Sequence, residues 1–164
     1  MRHKTIQSLA TIFALLVTSI AVGQGEGAAI LEDPELANAR TLLQAGREQI
    51  IREDLQLTEE ESVGFWPIYE KYIAALGVLR DRKAKLVAGF LKAYRNGQFG
   101  DEYAEWLVAE NFDIKADWLQ VQQKFVPRFR KVLPVVKVAR FYQLENKMDA
   151  EVDAQLAIVI PLVE

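Results

Sequence analysis

Catalysis by this sequence would have to depend on carboxylates, Lys, Tyr or Thr, because the residue types of most other catalytic sites are missing. There is no cysteine, and the one histidine, His3, lies in a segment that we expect to be removed. Ser–His and Cys–His nucleophilic pairs are therefore excluded, as is a transition-metal site built on His or Cys. Among the carboxylates, four acidic neighbours could supply a catalytic pair for hydrolysis: Glu102, Glu105, Glu110 and Asp113.

Paired carboxylates hydrolyse a glycosidic bond only at a defined separation and with one raised pKa, and nothing in the sequence sets either. We therefore predict that the protein is not an enzyme and that it needs no cofactor and no metal.

The N-terminus has the pattern of a secretory signal peptide. Arg2 and Lys4 precede an apolar run at Leu9–Val22, and the small residues Ala21 and Gly23 suit cleavage before residue 24. An uncleaved membrane anchor is the alternative, but the run is short for a membrane span. We predict a signal peptide over 1–23, a flexible leader over 24–33 and one all-helical domain over 34–164.

Cleavage would make the chain more acidic, since it removes Arg2 and Lys4 and no acidic residue. The formal net charge would go from −3 to −5. An acidic secreted domain is a poor nucleic-acid binder, so we expect no nucleic-acid partner.

Four helices and no strand are predicted from the apolar periodicity. Asp33 and Pro34 are typical of a helix start, and this first helix should end near Asp54. The second should begin at Thr58 and continue to about Arg95, where Asn-Gly follows as a C-cap signal.

The third helix is predicted to be capped by Asp101 and to be broken or kinked at Pro127. The fourth should run from about Val135 to Val159. Apolar residues in the second and third helices recur every 3.5 residues on average, which predicts that the two pack antiparallel. A kink is expected at Trp66–Pro67.

Two local motifs stand out. In the first, Thr58 and Glu61 fit a capping box, in which each side chain bonds the other residue's backbone N–H. The members of this motif are Leu57, Thr58, Glu61, Phe65, Trp66, Pro67 and Tyr69. The members of the second motif are Arg140, Phe141, Gln143, Glu145, Asn146 and Lys147.

Together these motifs resemble those of the LTXXQ-motif group of periplasmic proteins, the Spy/CpxP-like superfamily, over about residues 37–162. The resemblance implies a periplasmic, all-α, elongated kinked helical hairpin of about four helices that dimerises into a cradle. It also implies an ATP-independent chaperone that binds unfolded or partly folded envelope proteins. The alternative role in this superfamily is a stress-signalling adaptor that binds one specific sensor protein. Metal resistance, a third role, is set aside because the mature chain has no His or Cys.

Three groups of residues are candidates for partner binding, and each has a structural alternative. The client-binding candidates are Arg80, Arg82, Arg128 and Arg130, whose simpler interpretation is a solvated helix face. The aromatic candidates are Trp66, Tyr69, Trp106 and Trp118, although such residues more often belong to the core. Arg140, Gln143 and Lys147 share a helix face that could contact a client or a second copy, or could cross-link neighbouring helix ends.

Overall fold

Four α-helices make up almost all of residues 34–163, which are the residues that the computed structural model describes. The predicted signal peptide and leader lie outside this range. The helices are α1 (Pro34–Leu55), α2 (Glu59–Arg95), α3 (Asp101–Phe129) and α4 (Val135–Val159). No strand occurs between residues 34 and 163, so the prediction of an all-α fold is confirmed.

The chain divides into two compact units. One comprises Leu57–Val138 and is called the hairpin unit, because it contains α2 and α3. The other combines the described residues up to Gln56 with those from Ala139 onward and is called the terminal unit. Its described part contains α1 and most of α4.

Local capping determines both ends of α2. The Thr58 hydroxyl accepts from the Glu61 N–H at 3.2 Å, and the Glu61 carboxylate accepts from the Thr58 N–H at 2.8 Å, which confirms the capping box. At the other end Gly97 adopts a φ of +64°, which glycine tolerates without strain. The N–H groups of Gly97 and Gln98 bond the carbonyls of Tyr94 and Ala93, the pattern of a Schellman motif.

The two prolines predicted to disturb helices lie inside them. α2 continues through Pro67 and α3 through Pro127, so neither proline ends its helix where it stands. The cap predicted at Asp101 is wrong by one residue. Gly100 occupies the N-cap without a side-chain bond, and Asp101 is the first helical residue, where its charge favours the positive end of the helix dipole.

Helices α2 and α3 pack antiparallel along a core rich in aromatic side chains. The Phe65 ring lies 5.4 Å from that of Phe129, and the Tyr72 ring lies 5.4 Å from that of Phe125. The residue numbers therefore increase along α2 in the direction in which they decrease along α3. Fully buried members of this core are Phe65, Tyr69, Tyr72, Leu76 and Phe129. The Val132 side chain lies close to the α2 backbone at Gly64, where an added Cβ would lie 2.8 Å from Val132 Cγ1.

The terminal unit pairs α1 with α4, again antiparallel. Arg47 of α1 contacts Glu145 of α4, whereas Asp54, seven residues further along α1, contacts Arg140, which precedes Glu145 in α4. Among the described residues of this unit, the buried apolar side chains are Ile50, Ile51, Leu55, Phe141 and Met148. No helix in the described part of the chain is both long and apolar enough to span a membrane.

Candidate functional site

The capping box at the start of α2 also holds an ion pair. Glu61 accepts from the Lys137 ammonium at 2.6 Å while it caps the helix. The hydrogen bond from Lys137, the bond from the Thr58 backbone N–H and the Lys137 charge lower the pKa of the Glu61 carboxyl. Glu61 therefore ties the start of α4 to the start of α2 within the hairpin unit, a structural role.

The aromatic members of the first motif are divided between core and surface. Phe65 and Tyr69 are fully buried and their rings stack at 5.6 Å. Trp66 is half-buried, and its indole N–H donates to the Ser62 hydroxyl at 3.1 Å. Pro67 is exposed. Most of this motif therefore builds the hairpin core.

Arg140 of the second motif joins two helix ends. Its guanidinium pairs with the Asp54 carboxylate, and its Nε also donates to the Asp54 carbonyl at 3.2 Å. A cation at the carbonyl end of α1 is favourable because that end carries the negative pole of the helix dipole. Arg140 therefore cross-links neighbouring helices, which was the alternative to a role in binding a client or a second copy.

A buried ion pair lies between α1 and α4. Glu145 is fully buried, and Arg47 donates to it at 3.1 Å and to Asp149 at 2.8 Å. Neither Arg47 nor Asp149 was a candidate from the sequence. The pKa of the adjacent Tyr142 hydroxyl is raised, chiefly by burial and then by the charge of Glu145. The Arg47–Glu145 contact links α1 to α4 across 98 residues of sequence.

The remaining polar members of the second motif face solvent. Gln143, Asn146 and Lys147 are exposed, whereas Phe141 is fully buried. The face predicted from Arg140, Gln143 and Lys147 is therefore accessible, although Arg140 is engaged with α1.

The structure separates the four basic client-binding candidates. Arg82 bridges α2 to α3: it contacts Glu110 at 3.0 Å and Asp117 at 2.6 Å, and these carboxylates raise its pKa. Arg80 lies over the Trp118 ring at 5.6 Å. These two arginines contribute to hairpin packing.

Arg128 and Arg130 lie near the end of α3, and both are exposed. The Arg128 guanidinium lies 4.7 Å from the centre of the Phe125 ring, on the solvent side of a buried aromatic. Arg130 forms the C-cap of α3. Of the four candidates, this pair is the more available to a partner.

The aromatic candidates also differ in exposure. Tyr69 is buried, Trp66 and Trp118 are half-buried, and Trp106 has 49% of its surface exposed. They do not form one open aromatic surface.

A row of α3 residues that was not predicted from the sequence combines exposed apolar side chains with Lys115 and Gln122. It consists of Val108, Phe112, Lys115, Leu119, Gln122 and Val126, and is called the outer row. Val108, Phe112 and Leu119 are 55%, 62% and 53% exposed, whereas Ile114 and Phe125 of the predicted packing face are buried. Its apolar members, Val108, Phe112, Leu119 and Val126, are spaced 4, 7 and 7, because Lys115 and Gln122 interrupt the row, so apolar periodicity is a weaker signal here than along the packing face.

The acidic group on α3 is not brought together as a catalytic pair. Glu110 is engaged with Arg82, while Glu102, Glu105 and Asp113 are exposed. Within residues 34–163, no cluster of three or more acidic or imidazole side chains is arranged to hold a metal ion.

Comparisons with protein-family models, with curated proteins and with solved structures found no match to this chain.

Proposed function

We propose that the protein is a periplasmic chaperone-like protein that binds exposed apolar segments of unfolded or partly folded envelope proteins, reversibly and without nucleotide. The observation that supports this proposal is the outer row of α3. Contiguous exposed apolar surface on a soluble protein often marks a binding site, and Val108, Phe112 and Leu119 are exposed along one side of α3. The signal-peptide pattern at residues 1–23 supports an envelope location.

The outer row suits weak, reversible binding. Burial of a side chain such as Phe or Leu contributes about 1.5–3 kcal/mol, and the row offers Val108, Phe112 and Leu119. Association opposes this with a loss of translational and rotational freedom of at least about 4 kcal/mol. The small net gain would let a client segment bind and then leave to fold, without energy from ATP.

Lys115 would keep this surface soluble and broad in specificity. Its ammonium lies 5.7 Å from the centre of the Phe112 ring, so the aliphatic stem can cover apolar surface while the charge stays in water. Arg128 and Arg130 add exposed positive charge near the end of the same helix, which would attract acidic clients before apolar contacts form.

The test is an aggregation-suppression assay with residues 24–164, two unrelated unfolding clients and no ATP. We expect suppression of both clients near stoichiometric ratio. The variant Phe112→Gln/Leu119→Gln should lose most of this effect. The matched control Val78→Gln/Val136→Gln changes apolar residues that are 62% and 80% exposed elsewhere, and it should retain the effect.

Three other results of this assay would contradict the chaperone proposal or the assignment of the outer row as the client-binding surface. Suppression of neither client would refute the chaperone proposal, and protection of only one would favour an adaptor with a single partner. Equal suppression by the Phe112/Leu119 variant and the wild type would show that clients bind another surface.

A further inference from the structure

The turn between α3 and α4 lies in a stretch of the chain that contains no acidic residue. Between Asp117 and Glu145 the charged residues are all basic, although the sequence as a whole is net acidic. They are Lys124, Arg128, Arg130, Lys131, Lys137 and Arg140. Charge of one sign that is gathered on one part of an acidic protein creates a local positive potential, which indicates an anionic partner for that part.

Four of these cations form no salt bridge within residues 34–163. Lys137 pairs with Glu61, and Arg140 contacts the end of α1, so the charges of these two are offset. The other four are exposed and are called the basic cluster: Lys124, Arg128, Arg130 and Lys131. All four belong to the hairpin unit and are available to an anionic partner.

An apolar pair projects from the same turn. Val135 and Val136 are 60% and 80% exposed, although they follow the buried Leu133 closely. The Leu133 N–H donates to the Phe129 carbonyl at 2.9 Å, so the turn is fixed to the end of α3. The two valines are therefore held in solvent within a few residues of the basic cluster.

The acidic first turn of α2 does not neutralise the basic cluster. α2 meets the start of α4 through Glu61, whose carboxylate is engaged with Lys137. Because a helix has 3.6 residues per turn, Glu60 and Glu59 lie about 100° and 200° around α2 from Glu61. Both are exposed, and neither forms a salt bridge with the basic cluster.

Unpaired cations beside projecting aliphatic side chains suit an anionic membrane surface. Anionic headgroups attract Lys and Arg without a fixed geometry, and exposed apolar side chains insert at the boundary between headgroups and acyl chains. An acidic protein fits this surface less well, because protein interfaces are depleted in Lys and enriched in aromatic side chains. The basic cluster includes Lys124 and Lys131, and the projecting pair is aliphatic.

We propose that the turn between α3 and α4 docks on the surface of an anionic lipid bilayer. Val135 and Val136 insert among the headgroups, and the basic cluster lies over the lipid phosphates. This inference goes beyond the proposed function and does not use the outer row of α3, but it rests on the same envelope location. Docking would hold the protein beside the membrane whose proteins it is proposed to bind.

The first test measures cosedimentation of residues 24–164 with lipid vesicles. This form lacks the apolar run Leu9–Val22, which would itself bind lipid. Vesicles of phosphatidylcholine and phosphatidylglycerol in equal parts should bind the protein, whereas phosphatidylcholine alone should not. Lys124→Gln/Lys131→Gln should weaken binding about 25-fold, because each cation near an anionic surface contributes about fivefold.

A matched control removes two exposed lysines elsewhere in the hairpin unit. Lys85 and Lys92 lie at least about 30 Å along α2 from Gly64, which contacts Val132 of the turn. This distance exceeds the Debye length at physiological salt, so Lys85→Gln/Lys92→Gln should change vesicle binding by less than about threefold.

The second test locates the contact and uses the absence of cysteine from the sequence. A polarity-sensitive fluorophore attached to Val136→Cys should shift its emission to the blue when phosphatidylglycerol vesicles are added. The same fluorophore on Val78→Cys should not shift, although Val78 is also exposed, at 62%. Val135→Ser/Val136→Ser should lower the affinity at least about tenfold, because it removes the apolar contribution to insertion.

Three results would overturn the membrane proposal: no binding to phosphatidylglycerol vesicles, equal losses in the two lysine variants, or equal blue shifts at positions 78 and 136. Binding of an acidic polypeptide by the basic cluster without binding to vesicles would also overturn it, in favour of a protein partner.

The membrane proposal and the proposed function fail separately, because vesicle binding is measured without clients. Lys124→Gln/Lys131→Gln also leaves Arg128, Arg130 and the outer row unchanged. A protein that binds vesicles but protects neither client would remove the chaperone proposal alone. A protein that protects both clients but binds no vesicle would remove the membrane proposal alone.

Discussion

Replacement of Gly64 by alanine should destabilise the hairpin unit, although alanine is the better helix former. An alanine Cβ at this position would lie 2.8 Å from Cγ1 and 2.9 Å from Cβ of Val132, whereas carbon atoms pack best at about 3.5–4.0 Å. Rotation of the valine cannot relieve the contact, because its Cβ does not move with χ1. The backbone of the turn after α3 would have to shift.

The expected change in the free energy of unfolding follows from two opposing effects of the substitution. Glycine to alanine in a helix interior stabilises by about 0.8–1.0 kcal/mol. Overpacking of a well-packed site costs typically about 1–3 kcal/mol. Gly77 lies in the same helix with nothing within 4 Å of an added Cβ, so Gly77→Ala should show the first effect alone. We therefore expect Gly64→Ala to be about 1–3 kcal/mol less stable than Gly77→Ala.

Urea unfolding followed by tryptophan fluorescence is the assay, because all the tryptophans of the chain lie in the hairpin unit. Gly77→Ala should raise the midpoint above the wild-type value and Gly64→Ala should lower it, with similar slopes. A Gly64→Ala protein as stable as Gly77→Ala would refute the close approach of Val132 to α2.

Two further predictions concern the ion pairs. Because the pKa of Glu61 is lower in the folded chain, its contribution to stability is present above the ordinary value of 4.5 and is lost as the pH falls through the folded pKa. Glu61→Gln should thus flatten the fall of urea midpoint with pH below about 4.5, whereas Glu60→Gln, an exposed first-turn control, should keep it. Arg47→Met removes the cation beside the buried Glu145 carboxyl, and should destabilise by about 3–5 kcal/mol. Arg47→Met/Glu145→Leu should recover much of this loss in circular dichroism melts, and a double variant as unstable as the single one would contradict the role of the pair.

The helix boundaries were predictable because their signals are local. Thr58 and Glu61 lie three residues apart, and Gly97 supplies the left-handed conformation that ends α2, so a short stretch of sequence contains the whole capping interaction. The cap at Asp101 was misplaced by one residue, since an acidic side chain is favourable both at the cap and in the first turn.

The roles of the motif residues were less predictable, because their partners are distant in sequence. Glu145 was singled out, but its partner Arg47 lies 98 residues earlier. Arg82 belonged to a basic run that the sequence could not distinguish from a solvated face, and α3 supplies the two carboxylates that engage it. No local pattern indicates such pairs.

The sequence by itself determined that the chain is helical, where α2 begins and ends, and that α3 is apolar at heptad spacing, because propensity, capping and periodicity act between near neighbours. The sequence also predicted the packing face of α3 that includes Ile114 and Phe125, but periodicity does not say how exposed the neighbouring side chains are. The tertiary structure decided this: Ile114 and Phe125 are buried within the hairpin, whereas Val108, Phe112 and Leu119 stay exposed. Burial depends on the surface that α2 presents, which only the folded chain brings into contact with α3.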